Sequence, residues 1–287
     1  MNSGPGFNLD KRAMRSESER CRLRKTAAGP LRLASLFICL FLSFFSNGCV
    51  KEVPVYEPAD MPVSLVVEQL EQRQNHLFSF RAVGTIRVRG GKQRWSGKAF
   101  LLSEFPDSLR LEVVGLFGNP LLYAVSDGHQ FTIWEPGREQ AYQGLASSGT
   151  LARLIKFPLQ DREALLLLAG IVPPWHRVQA KLFRLRNAES FVLQLENKPA
   201  RLRQRIWLEG EDLIVTRVER VQDDEGKFEA TFSDFVTIDG SFYPRSVVME
   251  GGQAHISIRY QQIAVNEDLD ARVFHLALPE GIEIVPW

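Results

Sequence analysis

The sequence predicts a mainly β domain with a few helices (α+β), built as a barrel or strongly curved sheet of short strands. Three observations carry this. From Phe80 onward, apolar and polar residues alternate with period 2. Turn residues break the alternation at short, regular intervals, leaving about a dozen short strands, the pattern of an all-β barrel or sandwich. The 239 residues that run from Cys49 to Trp287 suit one large unit of that kind.

The elements follow in order. Lys51–Asp60 holds Pro54 and Pro58 and little that packs, so residues 49–61 read as a tether ahead of a domain over 62–287. Asp60 and Pro62 give a helix start, and Val63, Val66, Val67 and Leu70 recur at helical spacing, so a helix is expected over Val63–Asn75. Phe80–Arg89 and Gln93–Leu102 alternate about Gly90-Gly91 as a hairpin. Ser108–Val114, Pro120–Ser126, His129–Trp134 and Glu139–Gln143 continue the meander, with Asp127-Gly128 as a hairpin turn. Helical patterns over Ser148–Ile155 and Arg162–Leu168 interrupt it, with Ser148 and Asp161 as N-caps and Gly170 as a stop. Strands resume at Lys181–Arg186, Ser190–Leu195, Arg203–Leu208, Leu213–Val221, Lys227–Phe235, Ser246–Met249 and His255–Gln261. Trp95, Phe100, Phe131, Trp134 and Trp207 fall on strands and are expected mostly in the core.

The N-terminal segment has a different logic. Arg20, Arg22, Arg24, Lys25 and Arg32 precede Leu33–Phe45, a run of 13 apolar or small residues, and Ser46-Asn47-Gly48 leads into Cys49. Basic, apolar and small regions in that order make a secretory signal over residues 1–48. An uncleaved anchor is the other reading, but a spanning helix needs about 20 apolar residues. Met14 is a second candidate start. With a cysteine at the first mature position, the stretch resembles a bacterial lipoprotein signal, which implies diacylation of Cys49 and a lipid bilayer as first partner. Val50 follows Cys49, and by analogy with lipoprotein sorting this implies the outer membrane, facing the periplasm.

Composition narrows the chemistry. Cys21 and Cys39 fall in the signal, so Cys49 alone would remain in the mature chain, without disulfide or thiolate cluster. Residues 1–48 hold eight Lys/Arg and three Asp/Glu, leaving 27 basic and 31 acidic residues, a formal net charge of −4. No nucleic-acid partner is expected from such a balance. His76, His129, His176, His255 and His275 show no metal-ligand spacing, and nucleophile elbow, phosphate loop and dinucleotide fingerprint are all missing. Neither enzyme activity, metal nor cofactor is expected, and a monomer is.

One segment points toward function. Arg110–Leu122 places Gly115-Leu116-Phe117-Gly118 between two alternating strands. Tight connections are usually polar. Leu116 and Phe117 therefore either plug a barrel end or form an exposed finger that touches lipid or acylated cargo. Alternation puts Trp95, Gly97, Ala99 and Leu101 on one face of their strand and Leu109, Leu111 and Val113 on one face of the next.

Arg110–Gly118 resembles the segment of LolB-like outer-membrane lipoproteins in which a strand ends in a Pro-Leu-Gly-type loop, with Leu116 in place of Pro and Phe117 in place of Leu. Leu121–Trp134, Leu151–Ile155, Phe157-Pro158-Leu159 with Ala164–Gly170 and Pro173, and Phe274–Gly281 are similar to later pieces of LolA/LolB-type proteins, in order. The resemblance implies an incomplete antiparallel β-barrel of about 11 strands, covered by helices, around an apolar cavity. Trp95, Gly97, Ala99, Leu101, Leu109, Leu111 and Val113 are then candidates to line the cavity. The function implied is binding of acyl chains or lipoproteins and their delivery to the outer membrane, with a LolA-type periplasmic carrier as a possible partner. A scaffold or sensor that docks a partner protein through the same fold is the alternative.

Overall fold

The computed structural model describes residues 55–90, 93–146, 159, 161–186, 189–222 and 226–286. The signal segment, Cys49 and the helix expected over Ser148–Ile155 lie outside the described residues. Those described form fifteen strands in one sheet and two α-helices.

The first half of the sheet is a meander: β2 (Ser79–Gly90), β3 (Gln93–Glu104), β4 (Ser108–Val114), β5 (Pro120–Asp127), β6 (Gln130–Trp134) and β7 (Gln140–Leu145). The second is another: β8 (Gln179–Leu185), β9 (Ser190–Asn197), β10 (Leu202–Glu209), β11 (Ile214–Gln222), β12 (Gly226–Ile238), β13 (Ser241–Gly251) and β14 (Ala254–Val265). Each pairs antiparallel with its sequence neighbour, except that β7 and β8 are separated by the helical insertion. β14 returns to pair with β2, from Ala254 against Gly90 to Val265 against Phe80, joining the two meanders.

Two strands were not evident from alternation. Tyr56–Pro58, inside the expected tether, forms β1 against β8, and Glu283–Pro286 forms β15, parallel to β7. Both are too short to show a period. They are the two edges of the sheet and do not pair with each other, so the barrel is incomplete. The strand number is thus fifteen among the described residues, above the expected eleven or so.

The turns work as their residues require. Asp239 and Gly240 join Ile238 to its partner Ser241 with φ of 49° and 75°, the two left-handed positions of a tight hairpin turn. Asp127 Oδ1 accepts hydrogen bonds from the His129 and Gln130 amides at 2.8 and 2.7 Å, fixing the next hairpin connection locally.

α1 (Val63–His76) buries Val66 and Leu70, the stripe read from the sequence. Arg73 donates to the Leu213 carbonyl at 2.7 Å and also to the Asp212 carbonyl, to which Gln69 Nε2 donates at 3.0 Å. Burial pulls the Arg73 guanidinium below its ordinary pKa, and the nearby Asp212 opposes this.

α2 (Asp161–Leu168) fills the concave side of the sheet. Ala164 through Ala169 are all buried, as an unbroken apolar stretch must be, while Arg162 in the first turn is exposed. Its end is a Schellman motif: Ile171 N–H donates to Leu166 at 2.8 Å and Gly170 N–H to Leu167 at 3.0 Å. Tyr260 Oη donates to the Leu168 carbonyl at 2.9 Å, and burial drives this phenol far above its ordinary pKa. Gly170 has φ of 77°, and a Cβ there would lie 2.3 Å from Pro244 Cδ. Gly170→Ala should therefore cost about 2 kcal/mol or more, combining left-handed strain with a clash against a rigid ring. Urea unfolding checks this, and an unchanged midpoint would refute it.

Candidate functional site

Register decides which side chains share the concave face. Leu101 pairs with Leu111, Ala99 with Val113, and Ser103 with Leu109. On the other side Val88 pairs with Trp95, Ile86 with Gly97 and Ala82 with Leu101. The seven residues that alternation assigned to faces of two separate strands therefore lie on one continuous surface. Ala99, Leu101, Leu109 and Val113 are buried there, while Trp95, Gly97 and Leu111 are partly covered.

Gly97 does not open space. A Cβ at this position would sit 2.4 Å from the Val114 carbonyl oxygen and 2.9 Å from Val113 Cγ1. The glycine lets β3 and β4 approach closely, beside a register shift between Val113 and Val114. Among the described residues, Ala164–Ala169 of α2 and its end pack into this core. Among the described residues, a small, partly open space of about 20 Å³, bordered by Leu70, Ile171, Val172, Val215 and Phe242, has room for little more than one water.

Of the strand aromatics, Phe131 is in the core. Phe100, Trp134 and Trp207 are partly exposed because register turns them to the convex side: Phe100 pairs with Val83, Trp134 with Tyr123, and Trp207 with Arg217. There Lys98 lies over the Phe100 ring at 4.9 Å and Arg217 over Trp207 at 4.5 Å.

At the end of β4 the structure forms a β-turn over Gly115–Gly118. Gly118 N–H donates to the Gly115 carbonyl at 3.0 Å, and Gly115 N–H donates to the Asn119 carbonyl at 2.8 Å. Gly118 follows in the left-handed region, with φ of 82°. Leu116 and Phe117 occupy the two central positions and are 91 % and 93 % exposed. Both side chains stand in solvent outside the barrel. Four residues before the end of β4, Arg110 donates to the Val273 and His275 carbonyls at 2.8 and 3.3 Å and pairs with Glu112 at 2.5 Å. These bonds tie β4 to the 3₁₀ turn Ala271–Phe274, whose Phe274 is buried.

Alternation of apolar residues did not reveal a polar cluster inside the barrel. Arg220 on β11 pairs with Glu163 of α2 through two contacts, one of 2.8 Å. Its Nε and Nη2 donate to Gln204 Oε1 at 3.2 and 2.7 Å, and its guanidinium lies 5.0 Å from the centre of the Trp175 ring. Gln204 is fully buried, and its Nε2 has no hydrogen-bond partner. The signal was present: Gln204 shares the inward face of Ile206 and Leu208, and Arg220 that of Val218. A charge on an apolar stripe marks a side chain with an interior partner.

Among the described residues no group of three or more His, Cys, Asp or Glu is placed to hold a metal ion. No family model matches the sequence, and no curated protein matches it. Solved structures do. A LolA superfamily protein from Nitrosomonas europaea is 12% identical, with 75% of this chain and 98% of that one covered at a TM-score of 0.47. An outer membrane lipoprotein-sorting protein domain from Vibrio parahaemolyticus is 12% identical, covering 72% and 95% at 0.48. A DUF1329 family protein from Desulfovibrio piger is 13% identical, covering 75% and 97% at 0.49. The fold is an incomplete antiparallel β-barrel. That assignment rests on the strand order of this chain, which runs from one unpaired edge to the other with a helix inside.

Proposed function

We propose that this chain is a lipid-anchored envelope protein that assists delivery of acyl chains or lipoproteins to the outer membrane, with the Gly115–Asn119 loop as its contact to lipid or acylated cargo. The carrying observation is the exposure of Leu116 and Phe117 at the tip of an ordered turn. Two large apolar side chains held in water gain by entering an apolar phase, at roughly 1.5–3 kcal/mol each when fully covered. The resemblance of Arg110–Gly118 to a lipoprotein-carrier loop agrees with this use.

The barrel would then shelter the acyl chain. Each buried CH₂ is worth about 0.8 kcal/mol, so a naked tail does not cross water unaided. Since α2 is buried in the core, a guest that needs the space it takes would enter when that helix moves away. Transfer of a fluorescent acyl lipid between donor and acceptor vesicles tests the reading. It can use the unit Pro54–Trp287, which contains the whole described core. Transfer no faster than in its absence would sink the carrier role.

The anchor is tested separately. Wild-type protein should take up labelled palmitate and band with the outer membrane on density separation. Cys49→Ala should accumulate as an unlabelled, uncut precursor. Processing of the variant to the mature size with label retained would refute acylation at Cys49.

A further inference from the structure

We infer that a cationic strip beside the Leu116–Phe117 loop selects anionic bilayers, so that loop and strip form one docking surface for acidic phospholipid headgroups. This rests on the loop reading above and adds the charge class of the membrane.

The strip lies on the convex face of β2 and β3. Arg87, Arg89, Arg94 and Lys98 are all exposed. Register places Arg87 opposite Ser96, and Lys98 opposite both Thr85 and Val114. Val114 is the last residue of β4, so the loop leaves the sheet beside Lys98. β3 continues past it to Gln93, which carries Arg94 along the same end of the sheet as the loop. At about 3.3 Å per residue, Arg94 stands roughly 13 Å beyond Lys98.

Neutralisation distinguishes this strip from two cations beside it on the same face. Towards the far end of these strands Arg81 pairs with Glu267 at 2.7 Å, and on β14, level with Thr85 and Lys98, Arg259 pairs with Asp234 at 2.9 Å. Among the described residues none of Arg87, Arg89, Arg94 and Lys98 has an ion pair, and Lys98 only overlies Phe100. On the flanking strand β4, Glu112 pairs with Arg110 at 2.5 Å; Glu250 lies on β13, across β14 from Arg89, with His255 Nδ1 2.8 Å from its carboxylate. Arg89 and Arg94 are moreover direct cross-strand partners. Like charges so placed destabilise a sheet. Their hairpin and that of β13–β14 flank an open groove of about 370 Å³, lined by Arg89, Arg94, Glu250, His255 and a run of glycines. A groove of that kind accepts a headgroup phosphate, to which guanidinium forks bind well. The strip is cationic on a chain whose residues from Cys49 onward carry a formal net charge of −4, so bulk charge does not account for it.

Co-sedimentation of Pro54–Trp287 with phosphatidylcholine vesicles, with and without phosphatidylglycerol, tests this. Wild-type protein should prefer the anionic vesicles, and salt should erase the preference. R89Q/R94Q should bind anionic vesicles about 25-fold more weakly, at roughly fivefold per cation, and neutral vesicles unchanged. K181Q/R203Q, which removes two exposed cations from the other half of the sheet, should bind as wild type. Anionic binding by R89Q/R94Q equal to wild type, or an equal loss in K181Q/R203Q, overturns the strip. If wild type binds both vesicle types equally and Phe117→Glu binds neither, the loop stands and the headgroup inference falls. If wild type binds neither, both fall.

Discussion

Replacing Arg220 with methionine should cost about 3 kcal/mol of stability, the low end for breaking a buried ion pair. The low end applies because the Arg220 and Glu163 side chains keep 11% and 15% of their exposure. Without Arg220 the Glu163 carboxylate sits inside the barrel with no cation, and Gln204 Oε1 loses its donor. The loss comes from stranded polar groups rather than from a missing attraction, so removing both charges should recover much of it. Urea unfolding of Arg220→Met, Glu163→Met and the double variant forms the cycle. The double variant should be more stable than either single one. Strict additivity of the two losses would show that the pair is not coupled and that α2 is held without it.

Phe117→Glu should leave stability within about 0.5 kcal/mol of wild type, as expected of a surface substitution. Membrane association should fall roughly ten- to a hundredfold, because the 1.5–3 kcal/mol from covering one phenyl group is lost. The anchor-free Pro54–Trp287 unit is the form to use, since acylation at Cys49 would hold even a defective loop at the bilayer. Thermal unfolding and vesicle transfer are read on the same preparation. A sharply lowered midpoint would mean that the phenyl ring packs in the barrel end. An unchanged midpoint with unchanged transfer would leave the loop without a role.

Much of the fold was legible because its strands are long and half-buried. Phe80–Arg89 and Gln93–Leu102 show period 2 plainly and appear as β2 and β3 with small extensions. The Asp127-Gly128 and Gly170 signals work locally, through the left-handed backbone angles of their glycines, 87° and 77°. What stayed hidden depends on partners far away in sequence. Tyr56–Pro58 is a strand only because Phe183–Leu185 lies beside it. Trp207 reads as core by type, yet register sends it outward under Arg217. Gly97 reads as an open place in a lumen, whereas backbone from β4 fills that place. The exposed loop was half legible: composition gave its apolar tip, but only the turn geometry shows the tip in solvent.

If the barrel shelters an acyl chain as proposed, the helix inside it sets the terms on which that guest is held. An acyl chain that needs the concave face binds only those molecules whose α2 has swung away, so its apparent affinity is the intrinsic one scaled by that fraction. Every 1.4 kcal/mol that Arg220 and Glu163 contribute to keeping the helix in place weakens the hold on the guest tenfold. A loosened pair would make the protein a stronger trap and a slower donor, and a tightened one a poorer acceptor. The residues that govern loading and unloading would then be polar ones within the wall, rather than the apolar side chains a guest would touch.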